Sequence, residues 1–314
     1  MLEIFKLIRL RTIAFAAFTM YAMRYFVIVP ILARGGFSLQ LSDGDFSFLV
    51  VSVCCLVSAA YVINDYFDTK TDRLSGNREI IVGKTISRRM AIILHTFLNI
   101  VAVVIAFYMG ERVGHWEFGI LFLAVSLLLW FYSSRYKKRF VWGNLIVAFL
   151  AGCIPLSAVL FEIPLLTHTY SDVIAKTGIN FNAVLYWTGW FSYFLFFNMW
   201  IYEVNKDIYS IEGDRDDGVM TFPVKLGIRK TKIFISILVC WCIVSMFVLY
   251  AIEFSHSWVV LGYFAVGLFI PYLFYVYSVL RDDRKKFQFY LIRLIMVLCV
   301  GFSLLLQYFF NSVA

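Results

Sequence analysis

Charge is what this sequence has least of. Lys, Arg, Asp and Glu make up 15% of its 314 residues, against about a quarter in an ordinary soluble domain. Hydrophobic residues fill 62% of the chain, which excludes a water-soluble globular class and points to an integral membrane protein. Histidine is scarce too. His95, His115, His168 and His256 stand apart with no metal-ligand spacing. The six cysteines lie in or beside apolar runs, show no zinc-site spacing, and read as packing residues. There is no glycine-rich phosphate loop and no dinucleotide fingerprint, so a nucleotide is disfavoured. No small-residue cleavage site follows an early apolar segment, so the first run, 12–33, is expected to remain as a helix.

What is present is a series of apolar runs near 12–33, 46–63, 89–109, 116–132, 140–162, 183–202, 231–252, 257–280 and 288–310. Each is long and continuous enough for a spanning helix, and too much so for a barrel strand. An all-α protein with nine transmembrane helices is expected. Lys and Arg alternate in number from one inter-helix segment to the next. Twenty-three of the 28 fall on one side, three (Arg34, Arg112 and Lys176) on the other, and Arg24 and Arg293 within spans. The positive-inside rule puts the rich side, with the N-terminus, in the cytoplasm and the C-terminus outside, in the cell (inner) membrane. The net charge of +8 is therefore directed at membrane lipid and phosphate, not at nucleic acid. Arg24, deep in the first span, is expected to pair with an acid. Arg293, near a span end, is expected to snorkel as a structural residue.

Two acidic strings close two of the spans. The first reads D-x-x-D-x-x-x-D-R-x-x-G from Asp65 to Gly76, and the second D-x-x-S-x-x-x-D-R-x-x-G from Asp207 to Gly218. Asp65, Asp68 and Asp72 fall at i, i+3 and i+7, on one face if the helix continues. Four spans separate the copies, which suggests a duplication into two pseudo-repeated halves. Like charges on one face repel unless a cation joins them. Carboxylates with an amide or hydroxyl suit a hard cation, Mg²⁺ above all, with substrate phosphate completing its shell. Arg73, Arg78, Lys84, Lys137 and Arg215 lie near enough in sequence to hold a diphosphate.

At these residues the sequence resembles the UbiA superfamily of intramembrane prenyltransferases. Asn64, Asp65, Asp68 and Asp72 meet the family's N-D-x-x-D-x-x-x-D motif. The stretch GNREIIVGKTIS looks like its N-R-P-I-x-x-G-x-I-S segment, with Glu79 where proline is usual. WFYSSRYKKRFVWGN resembles its Y-S-x-x-L-K…G-N stretch, pointing at Tyr132, Ser133, Lys137 and Asn144. Tyr202, Lys206, Asp207 and Asp214 match the second motif, followed by Gly218 to Val224 as G-x-x-T-x-P-V. The resemblance covers nearly the whole chain. It implies one transmembrane domain over 1–314, with motifs at 64–72 and 207–214, around a central cavity opening to the cytoplasmic side. It implies Mg²⁺ as cofactor, held by Asn64, Asp65, Asp68, Asp72, Asp207 and Asp214. Ser210 stands where many members have aspartate, which leaves the metal count open, with Asp216 and Asp217 as alternative donors.

The chemistry implied is transfer of a prenyl group from a polyprenyl diphosphate to a lipid-soluble or amphipathic acceptor. Tyr132, Tyr202 and Lys206 are the expected catalytic side chains, the tyrosines facing an allylic cation. K-D-I-x-x-I-E-G-D with T-x-P-V resembles the branch that alkylates geranylgeranylglyceryl phosphate. Quinone-precursor prenylation and chlorophyll synthesis are the alternatives within the family. A secondary transporter would place its acids near the bilayer midplane, whereas both motifs here lie at span ends. A non-catalytic structural protein would show no Mg²⁺-dependent turnover.

Overall fold

In a computed structural model of the chain, residues 2–69, 81–281 and 285–312 are described. They are helical throughout, with no strand among them and one isolated bridge, Val82 to Ile86. Eight helices are long and apolar enough to cross a membrane: Leu10–Arg34, Asp43–Phe67, Arg88–Arg112, Glu117–Ser134, Trp142–Thr169, Ile228–Glu253, Trp258–Leu280 and Lys285–Phe310. The remaining expected span, 183–202, lies in the helix Asn182–Ile208, which has 27 residues. Its length suits a crossing, but Tyr186, Trp187, Trp190, Tyr193, Trp200 and Tyr202 lower its mean hydropathy, since indole and phenol carry polar atoms.

The chain divides into two compact units, Met1–Arg139 with Ile154–Thr188, and Phe140–Cys153 with Gly189–Ala314. In the first, Asp43–Phe67 packs on Arg88–Arg112 through small residues. Ala59, Ala91, Ala102 and Ala106 are fully buried, and their lack of bulk lets the backbones approach. Ser52 Oγ donates to the Ala102 carbonyl at 2.7 Å. His95 Nδ1 lies 3.0 Å from the Ala59 carbonyl, and Ser126 Oγ donates to Asn99 Oδ1 at 2.6 Å. His95 is thus a packing residue. The helix begins where Ser42 accepts from the Asp45 N–H at 3.1 Å, with Asp43 and Asp45 in the positive first turn.

Arg24 is paired as expected. Its guanidinium donates to Asp43 Oδ1 at 2.9 Å and to the Leu41 carbonyl at 2.7 Å, and lies 3.6 Å from buried Glu162. Glu162 in turn accepts from the backbone N–H of Gln40 and of Leu41. Arg24 sits in a π-helical turn, Met23–Ile28, closed by Pro30, and a second π turn, Tyr263–Phe269, is closed by Pro271. Proline has no N–H and its ring clashes with the carbonyl four residues back, so a widened turn relieves both.

The second unit is aromatic. Trp200 packs on Phe196 and Phe234, and Phe234 stacks on Phe222 at 4.8 Å. A Cβ added to Gly152 would lie 3.0 Å from Phe196 Cβ and 3.1 Å from the Ser192 carbonyl oxygen. Glycine there brings Trp142–Leu160 close against Asn182–Ile208. All six cysteines are free, as their reading as packing residues requires.

Candidate active site

The first acidic motif is built at a helix end. Asp43–Phe67 stops at Phe67, and Asp68 caps it with its N–H bonded to the Asn64 carbonyl at 2.9 Å. Of the three acids expected on one helix face, Asp65 lies in the helix and Asp68 caps it. Asp72, Arg73 and Arg78 lie outside the described residues. Asn64 Nδ2 donates to Asp68 Oδ2 at 2.8 Å. Lys137 Nζ donates to Asn64 Oδ1 at 3.1 Å and pairs with the Asp68 carboxylate. So Lys137, some seventy residues away in sequence, is brought to the motif as expected. Asp65 is held separately, by Arg9 Nη2 at 3.3 Å. Arg9 has φ 55, an uncommon conformation for a side-chain-bearing residue, and its guanidinium also lies 4.3 Å from the Tyr61 ring centroid. Tyr132 is buried and Lys84 exposed.

The second motif is built at the end of Asn182–Ile208 and in the short helix Ile211–Asp216. Asp207 is buried, and Asn144 Nδ2 donates to its Oδ2 at 2.8 Å. Burial pushes its carboxyl up to about 7, against the opposing pull of Lys206 and Asn144. Asp214, seven residues on, is buried as well. Its Oδ2 accepts from Ser210 Oγ at 2.8 Å and from Thr221 Oγ1 at 3.4 Å. Ser210 thus orients the next acid rather than standing as a free hydroxyl. Lys206 pairs with Glu203. Tyr202 is half-buried, its hydroxyl accepting from Arg293 Nη2 at 2.9 Å, and Arg215 is exposed. Arg293 is therefore more than a snorkelling residue: it engages an expected catalytic tyrosine.

The loop between Lys137 and Asn144 is strained. Val141 stands at φ 68, which costs a β-branched residue about 1–3 kcal/mol and is found where surroundings impose it, often at functional sites. Sequence reasoning did not find Arg9, Asn205 or the Arg293 contact, and it marked Thr221 only as a letter of the G-x-x-T-x-P-V string. Asn205 is buried with its Nδ2 unpartnered. Only its position inside the second motif could have marked it.

Among the described residues no three acid, histidine or cysteine side chains come together as a metal cluster. The donors present are carboxylate, amide and hydroxyl oxygens, the set Mg²⁺ prefers, and Mg²⁺ needs only one or two carboxylates from protein. Buried Asp207, with a single amide donor and a raised carboxyl, has the unmet negative charge such an ion would balance. The residues fit the ion.

A family profile described as the UbiA prenyltransferase family matches residues 25–297. The chain belongs to the UbiA prenyltransferase family. It is 32% identical over 231 residues to a digeranylgeranylglyceryl phosphate synthase of Methanothermobacter thermautotrophicus, covering 73% of this chain and 70% of that one. Among solved structures, a UbiA homolog from Aeropyrum pernix K1 in its apo form is 14% identical, with TM-score 0.66 over 92% of this chain and 98% of that one. A UbiA homolog from Archaeoglobus fulgidus, bound to DMAPP and Mg²⁺, is 16% identical, with TM-score 0.58 over 99% of this chain and all of that one. This UbiA family member is thus an integral membrane enzyme of the prenyltransferase class, with the all-helical fold of its relatives.

Proposed function

We propose that the protein transfers a geranylgeranyl chain from its diphosphate to geranylgeranylglyceryl phosphate, with Mg²⁺ as cofactor, at the cytoplasmic face of the cell membrane. The observation that carries this is a buried, amide-held aspartate at the second motif, Asp207, matched by the lysine-held Asp68 at the first. The similarity to a digeranylgeranylglyceryl phosphate synthase supports the choice of acceptor.

In this reading Asn64, Asp65, Asp68 and Asp72, and likewise Asp207 and Asp214, hold Mg²⁺. When bound, the ion lends positive charge to the diphosphate as it departs. Lys137, Lys84, Arg73, Arg78 and Arg215 take the remaining negative charge through hydrogen bonds that shorten as the charge grows. The bond between prenyl C1 and the diphosphate oxygen breaks, and its electron pair leaves with the oxygen. Tyr132 and Tyr202 offer ring faces to the allylic cation, worth about 0.5–2 kcal/mol each. The acceptor hydroxyl oxygen bonds to C1, and its proton passes to the released diphosphate. Lys206, balanced by Glu203, keeps a positive charge near Asp207. Residues 1–314 act as one functional domain.

The test is turnover of the purified protein with geranylgeranyl diphosphate, Mg²⁺ and three acceptors: geranylgeranylglyceryl phosphate, dihydroxynaphthoate and 4-hydroxybenzoate. Mass spectrometry is expected to find the first alone prenylated, with the product lost on chelation and in Asp68→Asn or Asp207→Asn. Conversion of an aromatic acceptor instead would move the protein to quinone-precursor chemistry. Turnover indifferent to chelation would remove the metal from the account.

A further inference from the structure

The helix Lys285–Ser312 has a stripe of exposed side chains: Tyr290, Arg293, Val297, Leu304 and Tyr308. Beyond the exposed Lys285 and Lys286 at the helix start, every member but one is apolar or aromatic. Arg293 lies eight residues from the Lys285 end, about 12 Å along the axis. A guanidinium at that depth is costly without an anion, and such residues mark ligand paths more often than packing. Arg293 does not run along its helix to the Lys285 end. Its Nη2 donates to the Tyr202 hydroxyl at 2.9 Å, and its carbon lies 5.5 Å from the Tyr202 ring centroid. Tyr202 also meets Phe289 edge to face, with ring centroids 5.4 Å apart. The Tyr202 hydroxyl is the only hydrogen-bond partner of Arg293 among the described residues, so most of its five donors remain for a ligand.

Tyr202 stands five residues before Asp207 on one helix, an axial step of about 7.5 Å. The cation therefore lies further into the span than the acid, by roughly the length of a glyceryl phosphate headgroup. A phosphate held at that offset leaves the headgroup's hydroxyl near the level of the acid. We infer that Arg293, positioned by Tyr202, binds the phosphate of a lipid acceptor and selects phosphorylated over neutral acceptors. This rests on the prenyl-transfer reading above, and names the residue that recognises the acceptor.

The test compares wild type, Arg293→Gln and Arg293→Lys in phosphatidylcholine nanodiscs, with geranylgeranylglyceryl phosphate and its dephosphorylated alcohol as acceptors. Loss of charge-assisted bonds to one phosphate is expected to raise the KM of Arg293→Gln for the phosphorylated acceptor about ten- to a hundred-fold. Any loss that passes through Tyr202 should fall on both acceptors alike, so the KM for the phosphorylated acceptor should rise at least about ten-fold more than that for the alcohol, and Arg293→Lys should recover part of the difference. Equal losses on both acceptors would reduce Arg293 to a packing residue and overturn the inference. A defect seen only in phosphatidylglycerol discs, and the same for both acceptors, would assign Arg293 to bulk anionic lipid and also overturn it. If wild type turned over neither acceptor, the prenyl-transfer reading would fail by itself. Equilibrium binding of the phosphorylated acceptor, read by tryptophan fluorescence, would still test Arg293, with weaker binding to Arg293→Gln expected and unchanged binding contradicting the inference.

Discussion

Asp207 is the residue on which the proposed metal site turns. Its carboxylate is out of water and receives one amide hydrogen, so burial outweighs Lys206 and lifts its carboxyl to about 7. A raised carboxyl is protonated below that value, and Mg²⁺ must then displace a proton. The Mg²⁺ concentration for half-maximal turnover should therefore rise as pH falls below about 7, by up to roughly tenfold per unit for one displaced proton, and level off above it. Mg²⁺ titrations of activity between mildly acidic and mildly alkaline buffer check this. A half-saturation value constant across the range would mean that Asp207 does not meet the ion. The acids themselves were legible, because a carboxylate at the end of an apolar run has no packing role. Their partners were legible only where a motif named them. Lys137 and Asn144 belong to such a string. Arg9 does not, and only the folded chain brings it to Asp65.

At the scale of elements, the second motif depends on two helices held close. Gly152 gives Trp142–Leu160 its near contact with Asn182–Ile208, and Asn144 on the first of these reaches Asp207 on the second. Adding one methyl in Gly152→Ala requires Phe196 or the Ser192 backbone to give way. It should cost about 1–3 kcal/mol, as overpacking does. It should also weaken the Asn144 bond, lowering the Mg²⁺ affinity along with the thermal midpoint. Thermal unfolding in detergent, paired with a Mg²⁺ titration, reads both. A variant of unchanged midpoint and affinity would show that the contact is slack. Helix positions were legible from unbroken apolar runs. The end of Asp43–Phe67 was not, since nothing in the sequence between Asp65 and Asp72 breaks a helix. The π turns escaped as well. Pro30 and Pro271 announce a disturbance, but not its form.

For the whole molecule, the sided distribution of Lys and Arg is the strongest signal the sequence carries, because insertion reads charge and not fold. It predicts Lys6 and Lys138 in the cytoplasm and Lys176 outside. Single cysteines at these positions, in a background lacking the native six, should react accordingly with an impermeant maleimide. Lys176→Cys is expected to label in intact cells, and Lys6→Cys and Lys138→Cys only after lysis. Labelling of all three in intact cells would contradict the assigned orientation. The aromatic helix Asn182–Ile208 is where hydropathy and length part company; a fourth single cysteine, Lys230→Cys, counts it, since it should label only after lysis and omitting that crossing would put it outside.

The central claim is that both acidic motifs are needed to bind a prenyl diphosphate through Mg²⁺. The most direct measurement is calorimetric binding of geranylgeranyl thiolodiphosphate, an unreactive donor analogue, with Mg²⁺ or with EDTA, to wild type, Asp68→Asn and Asp207→Asn. The account predicts saturable binding by wild type with Mg²⁺, and at least tenfold weaker binding with EDTA and in each variant. Binding by all three proteins that is equally tight with Mg²⁺ and with EDTA would contradict it.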